Sequence, residues 1–345
     1  MTRVQVRGEA VRRFILECVE KHPADITSIT AEKFNISRQA VNKHLQKLIG
    51  EGVLNQSGNT RSRRYQLTPL IDWRKLYSLA EILEEDRIWR EDIAILIGQA
   101  PQNILDIWHY GFTEMFNNVI DHSEGTWVSI NLNKTAVATE IAIYDNGVGI
   151  FKKIQMALDL MDERHAVLEL AKGKLTTDPA RHTGEGIFFA SRMFDHFGVM
   201  SGGVYFSHRF DDKEDWIMER EQFSSGTSVW MKLNNDTTRT TKKVFDEFSS
   251  GNDYGFTKTV VPVKLAQYGD EHLVSRSQAK RLLSRIDRFE TVLFDFHGVE
   301  SIGQSFADEI FRVFAEQHPT MKLLGIKANS AVKKMINRAR SNLDL

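Results

Sequence analysis

The chain has 345 residues, of which 26% are charged and 41% hydrophobic, and its formal net charge is −1. A chain of this length is too long to fold around one ordinary hydrophobic core, so the sequence predicts two or three domains. No apolar run approaches the ~18 residues of a membrane span, and the first residues lack the apolar core of a secretory signal. The single cysteine, Cys18, excludes an intrachain disulfide. We therefore expect a cytoplasmic protein without a membrane partner, in which Cys18 is buried and inert.

The charge is unevenly distributed along the chain. Residues 1–68 contain 12 Lys or Arg and six Asp or Glu, a formal charge of +6, which leaves −7 for residues 69–345. A basic module on an acidic body is a pattern expected of nucleic-acid binding. Together with the pattern of elements, it divides the chain into predicted domains at 1–68, 69–250 and 251–345.

The sequence of the basic first domain predicts three helices followed by a two-stranded hairpin. The helices are predicted at 9–21, 26–34 and 38–49, and the strands at 53–56 and 63–67. This order, with the third-helix sequence Ser-Arg-Gln-Ala-Val-Asn-Lys-His-Leu-Gln-Lys-Leu, resembles the winged helix-turn-helix domains of bacterial repressors. The resemblance implies that the third helix recognises double-stranded DNA.

In this third helix, Val41, Leu45 and Leu48 share one apolar face, and Ser37 can cap the first turn. The other faces carry side chains suited to base edges, and the hairpin adds arginines that can neutralise backbone phosphates. The predicted DNA-contacting residues are Arg38, Gln39, Asn42, Lys43, Arg61, Arg63 and Arg64. A protein-binding winged helix with a solvated basic face is the alternative.

The middle domain contains a predicted helix over 112–122 whose polar residues suit a catalytic or metal site. Glu114, Asn118 and Asp121 lie within about 60° of one another on the helix, apart from an apolar stripe. The amide oxygen of Asn118 can ligate Mg²⁺ shared with phosphates, and the Glu114 carboxylate can orient or deprotonate a nucleophile. This pair alone is weak evidence, because such pairs are common on exposed helices.

Three further motifs in the middle domain are rich in glycine. A predicted strand over 140–144 runs into Asp145-Asn146-Gly147-Val148-Gly149, which offers a carboxylate and close backbone approach to a ligand. The run His182-Thr183-Gly184-Glu185-Gly186 opens a helix, where free amides and the helix dipole favour phosphates. Finally, Ser225-Gly226-Thr227 leads into a predicted strand over 228–233.

In this order, the four motifs resemble the asparagine box, the two glycine boxes and the closing motif of GHKL ATP-binding domains. That α/β-sandwich (Bergerat) fold is shared by gyrase, Hsp-type chaperones, histidine kinases and MutL. The similarity covers about residues 100–235 and is nearest to anti-sigma-factor serine kinases and histidine-kinase-like ATPases. The alternative is a degenerate pocket that binds no nucleotide.

The resemblance implies ATP and Mg²⁺ as ligands and gives roles to individual residues. Asp145 accepts a hydrogen bond from the adenine amino group, Asn118 holds Mg²⁺, Glu114 acts as general base or orients water, and 151–181 form an ATP lid. The other implied ATP-binding residues are Asp121, His122, Gly147, Gly149, Thr183, Gly184, Gly186 and Thr227.

The last domain predicts alternating strands and helices, hence an α/β domain. Residues 293–309, Leu-Phe-Asp-Phe-His-Gly-Val-Glu-Ser-Ile-Gly-Gln-Ser-Phe-Ala-Asp-Glu, resemble STAS domains, the fold of anti-sigma-factor antagonists. The resemblance implies a phosphoacceptor serine at the start of the next helix, at Ser305, and the alternative is that Ser305 only caps this helix. Asp295 and His297 are too few for a metal site, and we expect a polar pair at a strand end.

The predicted fold is therefore a multidomain α+β protein with a winged helix, a GHKL domain and a STAS-like domain. We expect an ATP-binding transcriptional regulator in which the nucleotide changes domain packing and thereby DNA or partner binding. Two alternatives stay open: a serine kinase or slow ATPase acting on its own or a partner's STAS domain, and a non-catalytic, anti-sigma-like interaction module. Expected partners are ATP, double-stranded DNA and a sigma-factor or STAS-type regulator, and a homodimer is plausible.

Overall fold

In the part of this mixed α/β chain that the structure describes, the strands form three separate β-sheets, of two, five and three strands. The computed structural model describes residues 3–59, 62–175, 184–210, 214–249, 255–267 and 271–341. Among these residues, no helix combines the length and the hydropathy needed to cross a membrane.

The N-terminal unit (residues 3–67) consists of three helices and a hairpin. Its elements are α1 (Arg3–Cys18), α2 (Ile26–Phe34), α3 (Arg38–Gly50), β1 (Leu54–Ser57) and β2 (Arg64–Leu67). The two strands are antiparallel, and the predicted order of elements and bounds of α2 are confirmed. α1 ends at Cys18 rather than at Lys21, and the chain continues as a turn towards Pro23, which has no N–H group for a helical hydrogen bond.

The third helix has the predicted cap and the predicted apolar face. The Ser37 hydroxyl oxygen accepts a hydrogen bond from the Ala40 N–H at 3.2 Å, and Val41, Leu45 and Leu48 are buried. Cys18 is half-buried rather than buried as predicted, and this partial burial raises the pKa of its thiol, which lowers its reactivity.

The central unit (residues 71–249) is a five-stranded antiparallel sheet with helices, in the order β3-β4-β5-β7-β6. Its strands are β3 (Ile71–Ser78), β4 (Trp127–Lys134), β5 (Ala138–Asp145), β6 (His196–Arg209) and β7 (Glu214–Asn234). Its helices are α4 (Glu85–Ile88), a π-helical turn (Trp89–Ile93), α5 (Ala94–Ile97), α6 (Gln102–His122), α7 (Ile150–Ala157), α8 (Glu163–Lys172), α9 (Gly186–Met193) and α10 (Thr241–Phe248). The predicted apolar stripe of α6 is buried, from Trp108 to Val119.

One prediction for the central unit was wrong. Ser225-Gly226-Thr227 does not precede a strand but lies inside β7. Gly226 has a φ of +75°, which glycine adopts without strain, and the pairing of β6 with β7 shifts register at Ser201 and Gly202. The irregular stretch of β7 lies beside the cavity described below, and Thr227 is part of the cavity wall.

The C-terminal unit (residues 255–341) is a three-stranded parallel sheet with helices, in the order β10-β9-β8. Its strands are β8 (Lys258–Pro262), β9 (Thr291–Asp295) and β10 (Lys322–Ile326). Its helices are a 3₁₀ turn (Val263–Ala266), α11 (Arg276–Leu283), a second 3₁₀ turn (Ile286–Arg288), α12 (Gln304–Asp308), a π-helical turn (Glu309–Phe314), α13 (Ala315–Gln317) and α14 (Ser330–Ser341). The predicted alternation of strands and helices is confirmed, and β8 ends at Pro262, which has no N–H to donate to the sheet.

The units are joined in two different ways. The N-terminal unit has its own hydrophobic core, built on Ile15, Val41 and Leu45, whereas the central and C-terminal units share one core. Phe188 of α9 packs against Phe256 with ring centroids 4.5 Å apart, so the shared core crosses from one unit to the other.

Candidate functional site

A cavity of about 280 Å³ lies among α6, β5, β7 and the starts of α7 and α9. Its wall brings together predicted site residues from four separated stretches of sequence. These residues are Glu114, Asn118, His122, Asp145, Gly149, Gly184, Gly186 and Thr227. Apolar side chains complete the wall, among them Ile143, Ile154 and Val229. The mixture of an apolar lining with a few polar groups is typical of small-molecule pockets.

Asp145 is the buried acid of this cavity. It is the last residue of β5 and is only 6% exposed. Its Oδ1 accepts a hydrogen bond from the Gly147 N–H at 2.8 Å, and the Thr227 N–H also donates to the carboxylate. Burial raises the pKa of Asp145, while the two N–H groups act in the opposite direction. The Asp145 carboxylate is therefore a buried hydrogen-bond acceptor in a fixed position, suited to a ligand N–H group.

Glycines keep the backbone close around Asp145. A Cβ atom on Gly147 would lie 1.9 Å from the Ser123 carbonyl oxygen, and one on Gly226 would lie 2.0 Å from the Asp145 carbonyl oxygen. Both positions therefore exclude any larger side chain. Gly147 packs against the chain after α6 and is not among the residues that line the cavity, so its contact with a ligand stays a prediction.

The start of α7 is fixed to β7 beside the cavity. Gly149, with a φ of +95°, precedes the helix, and a Cβ atom there would lie 2.5 Å from the Ser201 hydroxyl oxygen. The Thr227 hydroxyl oxygen accepts a hydrogen bond from the Ile150 N–H at 3.0 Å. Thr227 thus holds both Asp145 and α7, which sets the shape of this side of the cavity.

Glu114 lies against the first turn of α9. A Cβ atom on Gly186 would be only 2.0 Å from Glu114 Oε2, so the carboxylate occupies the space that a side chain would need. Gly184, with a φ of +74°, is paired to Leu175, whose N–H donates to the Gly184 carbonyl oxygen at 3.0 Å. Thr183, also predicted to bind ATP, lies outside the described residues.

Asp121 belongs to the same helix as Glu114 and Asn118 but not to the cavity wall. It is exposed and does not line the cavity, whereas Asn118 and His122 do. A step of four residues along a helix advances about 40° around the axis, so the lining stripe runs from Glu114 through Asn118 to His122 and turns away from Asp121. The role of Asp121 in ligand binding stays a prediction, and its position gives that role no support.

Lys153 is a cavity residue that the sequence reasoning missed. It lies in the first turns of α7, and its Nζ donates to the His122 carbonyl oxygen at 2.8 Å and to Glu124 Oε1 at 2.7 Å. The available signal was a lysine one turn after Gly149. Its positive charge sits in the same wall as Asn118 and His122.

The predicted lid segment contains two helices, α7 and α8. The second is not a surface element, because its residues from Ala166 to Lys172 are all buried. Leu170 of α8 also lines the cavity. The end of the predicted lid, 176–181, lies outside the described residues.

The described residues offer few side-chain ligands for a metal ion. No group of three or more His, Cys, Asp or Glu side chains in the described part of the chain could hold one. Asn118 and Glu114 offer oxygens on one wall, and an octahedral Mg²⁺ would take its other ligands from phosphates and water. The residues fit an ion shared with a bound phosphate. At the end of β9, the Asp295 carboxylate accepts hydrogen bonds from the backbone N–H of His297 at 2.9 Å and from Lys327 Nζ at 2.5 Å.

The predicted DNA-contacting residues are largely at the surface of the N-terminal unit. Arg38, Gln39, Lys43 and Arg64 are exposed, and Asn42 is half-buried. Arg63 is half-buried, and its Nε is buried without a hydrogen-bond partner, so this side chain is less available than predicted. Arg61 lies outside the described residues.

Ser305 is the second residue of α12 and is exposed. The N-cap of this helix is Gly303, and no side chain makes a capping hydrogen bond. A Cβ atom on Gly303 would lie 2.8 Å from Val274 Cα, so close packing favours glycine at the cap. The alternative that Ser305 only caps the helix is therefore wrong.

Comparison with known proteins finds one related family. Residues 278–333, which include β9, α12 and β10, match the family described as a STAS-like domain of unknown function (DUF4325). No curated protein matches the chain. The similarity covers part of the C-terminal unit, so this unit is STAS-like.

Proposed function

We propose that the protein binds ATP with Mg²⁺ in the cavity between α6 and β7 and uses the nucleotide to control binding of double-stranded DNA. The observation that carries this proposal is the convergence of Glu114, Asn118, Asp145 and Thr227 on one cavity. Their order along the chain resembles the GHKL motifs.

The chemistry of the wall supports an adenine nucleotide. The Asp145 carboxylate would accept the adenine amino group, and the apolar residues Ile143 and Val229 would contact the base. The first turn of α9 and Lys153 would face the phosphates, because free amides and a positive charge favour anions. Asn118 would hold Mg²⁺, which neutralises phosphate charge when bound.

The N-terminal unit supports DNA as the output. It has three helices followed by an antiparallel hairpin, which is the order expected of a winged helix, and a formal charge of +6 over residues 1–68, with exposed polar side chains on α3. Such a charge favours phosphate contacts, and the exposed α3 side chains can read base edges. A sigma-factor or STAS-type protein partner remains the competing output.

A second candidate function is phosphoryl transfer or slow ATP hydrolysis. It is favoured by the Glu114 carboxylate, which lies against the first turn of α9 on the cavity wall, and by the exposed Ser305 of the STAS-like unit. A carboxylate there can activate water or a serine hydroxyl as general base.

Calorimetric titration with Mg-ATP tests nucleotide binding. We expect saturable binding of Mg-ATP to the full chain. Its affinity should fall by about tenfold or more in Asp145→Ala, because this variant lacks a charge-assisted hydrogen bond to the ligand. Asp121→Ala, an exposed aspartate of the same unit, is the matched control and should bind normally. Equal affinities for both variants would contradict the site.

DNA coupling and catalysis need separate measurements. Double-stranded DNA selected from a random library should bind with a different affinity when Mg-ATP is present, and identical affinities would remove the regulatory proposal. In single-turnover assays with labelled ATP, Glu114→Gln should abolish phosphate release or Ser305 labelling while retaining ATP binding. No release or labelling by the unmodified protein would exclude the catalytic function.

A further inference from the structure

A second cavity, of about 290 Å³, lies between the central and C-terminal units. It shares no lining residue with the first cavity. Its C-terminal wall is formed where all three parallel strands end, by Pro262, Asp295 and Ile326. In open α/β sheets, ligands bind outside the carboxyl ends of parallel strands.

One face of this sheet is available to form the cavity. The Phe294 ring of β9 packs against Phe311 with centroids 5.8 Å apart, so that face is covered by the helices of the unit. Val260 and Leu293 point to the opposite face and are only half-buried. Parallel sheets are normally covered on both faces, and here the second face meets α10 and the end of β6 across the cavity.

The cavity combines an apolar floor with a positively charged rim. The floor includes Leu293, Val244 and Phe248, and the rim carries Arg192, Lys264 and Lys327 with two histidines, His208 and His297. The acids of the lining are Glu247 and Asp295, so the formal charge is +1 with both histidines neutral. This is opposite in sign to the −7 of residues 69–345.

The cations of the rim are held in place. Arg192 is 8% exposed, its Cζ lies 3.6 Å from the centre of the Phe188 ring, and its Nη1 donates to the Phe188 carbonyl oxygen at 3.0 Å. Lys327 has a φ of +50° and pairs with Asp295. A non-glycine residue in this region is uncommon and marks a locally constrained turn.

We propose that this cleft is a second ligand site, for a small organic anion with an apolar body such as an aromatic phosphate or carboxylate. The apolar floor would contact the body, and the rim would bind the anionic group. Helix α9 joins the two cavities, since Gly186 at its start lines the first and Arg192 near its end lines the second. The second ligand would be an effector rather than the nucleotide.

Calorimetric titration of the full chain with phenyl phosphate tests this site, with benzyl alcohol as the probe that has the ring but no charge. We expect saturable binding of one phenyl phosphate and much weaker binding of benzyl alcohol. Lys264→Glu should weaken binding by about tenfold or more, and Lys264→Gln by less, because a charge-assisted contact is reversed or removed. Lys264 is exposed, so both variants are expected to fold.

Two controls separate this cleft from other sites. Lys333→Glu changes an exposed lysine of α14 outside the cavity and should leave binding unchanged. Asp145→Ala should also leave it unchanged, even if it removes nucleotide binding. No saturable binding, equal loss in Lys333→Glu, no loss in Lys264→Glu, or loss in Asp145→Ala would overturn the proposal.

Discussion

The N-terminal and C-terminal units are attached to the central unit by opposite kinds of contact. The N-terminal unit contributes the ion pairs Arg13–Asp236 and Glu20–Lys232, which lie at the surface, and the latter has an N–O distance of 2.8 Å. The C-terminal unit shares a hydrophobic core with the central unit. Surface ion pairs are weak because water and salt screen them, whereas a shared core is lost only on unfolding.

A buried lysine connects the central unit to the C-terminal unit. Lys172 of α8 is 1% exposed, and its Nζ donates to Glu169 Oε1 at 2.7 Å and to the carbonyl oxygens of Arg281 and Ser284 at 3.0 and 2.9 Å. The Thr259 hydroxyl of β8 donates to the Lys172 carbonyl oxygen at 2.6 Å. The helix beside the first cavity is therefore tied directly to the C-terminal unit. Under the proposed function, changes caused by the nucleotide would reach the C-terminal unit through packing and the N-terminal unit through a change in its orientation.

The largest expected effect is at this lysine. Lys172→Ala should lower the free energy of unfolding by ~3 kcal/mol or more, because it leaves Glu169 charged and buried with fewer partners. Urea unfolding followed by circular dichroism measures the change. The double variant Lys172→Met/Glu169→Leu, which replaces the pair by apolar groups, should recover most of the loss. Full stability in Lys172→Ala would show that the junction does not depend on the pair.

Saturating nucleotide should protect the central and C-terminal units from hydrogen exchange more than the N-terminal unit. At a ligand concentration of about 100 times Kd, binding stabilises the native state by ~2.7 kcal/mol. Because central and C-terminal units share a core, slow hydrogen exchange should become slower in β5 and also in β9, and remain unchanged in α3. Measurement by mass spectrometry checks this, with Asp145→Ala as a weaker-binding control in which the added protection should be smaller. Equal protection of α3 would contradict the separation of the N-terminal unit.

The pH dependence of nucleotide binding should follow Asp145. Its pKa is raised by burial, so the carboxylate is ionised well above that raised pKa and becomes protonated as pH falls through it. Affinity for Mg-ATP should therefore decline from higher pH than expected for an ordinary aspartate with a pKa of ~3.9, by up to about tenfold. Asp145→Asn, whose amide does not titrate, should lack this component. The same pH profile in both proteins would assign the dependence to another group.

The sequence predicted local structure better than it predicted burial. The bounds of α2 follow from periodicity and turn residues within that segment, and the convergence of Glu114, Asn118 and Asp145 agrees with the order of their motifs. These features depend on residues close in sequence or on a known arrangement of motifs.

Other features could not be predicted because they depend on distant residues. A lysine such as Lys172 normally belongs to a solvated face, and its burial depends on carbonyl groups 109 and 112 positions away. Asp121 is an exception to this explanation, because its position follows from helix geometry alone. It lies about 60° from Asn118 and about 100° from His122 around α6, away from the stripe that lines the cavity. Lys153 was missed because its partner, the His122 carbonyl oxygen, is a backbone group contributed by another helix.

The smallest effect on stability is expected at the weak junction, and it gives the most information about function. Lys232→Ala removes one partially exposed ion pair and should change the free energy of unfolding by less than ~1 kcal/mol. Only three residues separate β2 from β3, so the N-terminal unit stays close to the central sheet even when the pair is absent. The range of its orientations relative to the central sheet should nevertheless become wider.

Spin labels on α3 and β4 measure this range. The distribution of distances between the two labels should become wider in Lys232→Ala and in Arg13→Ala. It should also become wider in the unmodified protein at high salt, where exposed charges are screened. Lys333→Ala, an exposed lysine of α14, is the control and should leave the distances unchanged. If the distances stayed narrow in every variant and at high salt, the connection of β2 to β3 would hold the unit by itself, and DNA control would have to act without reorientation.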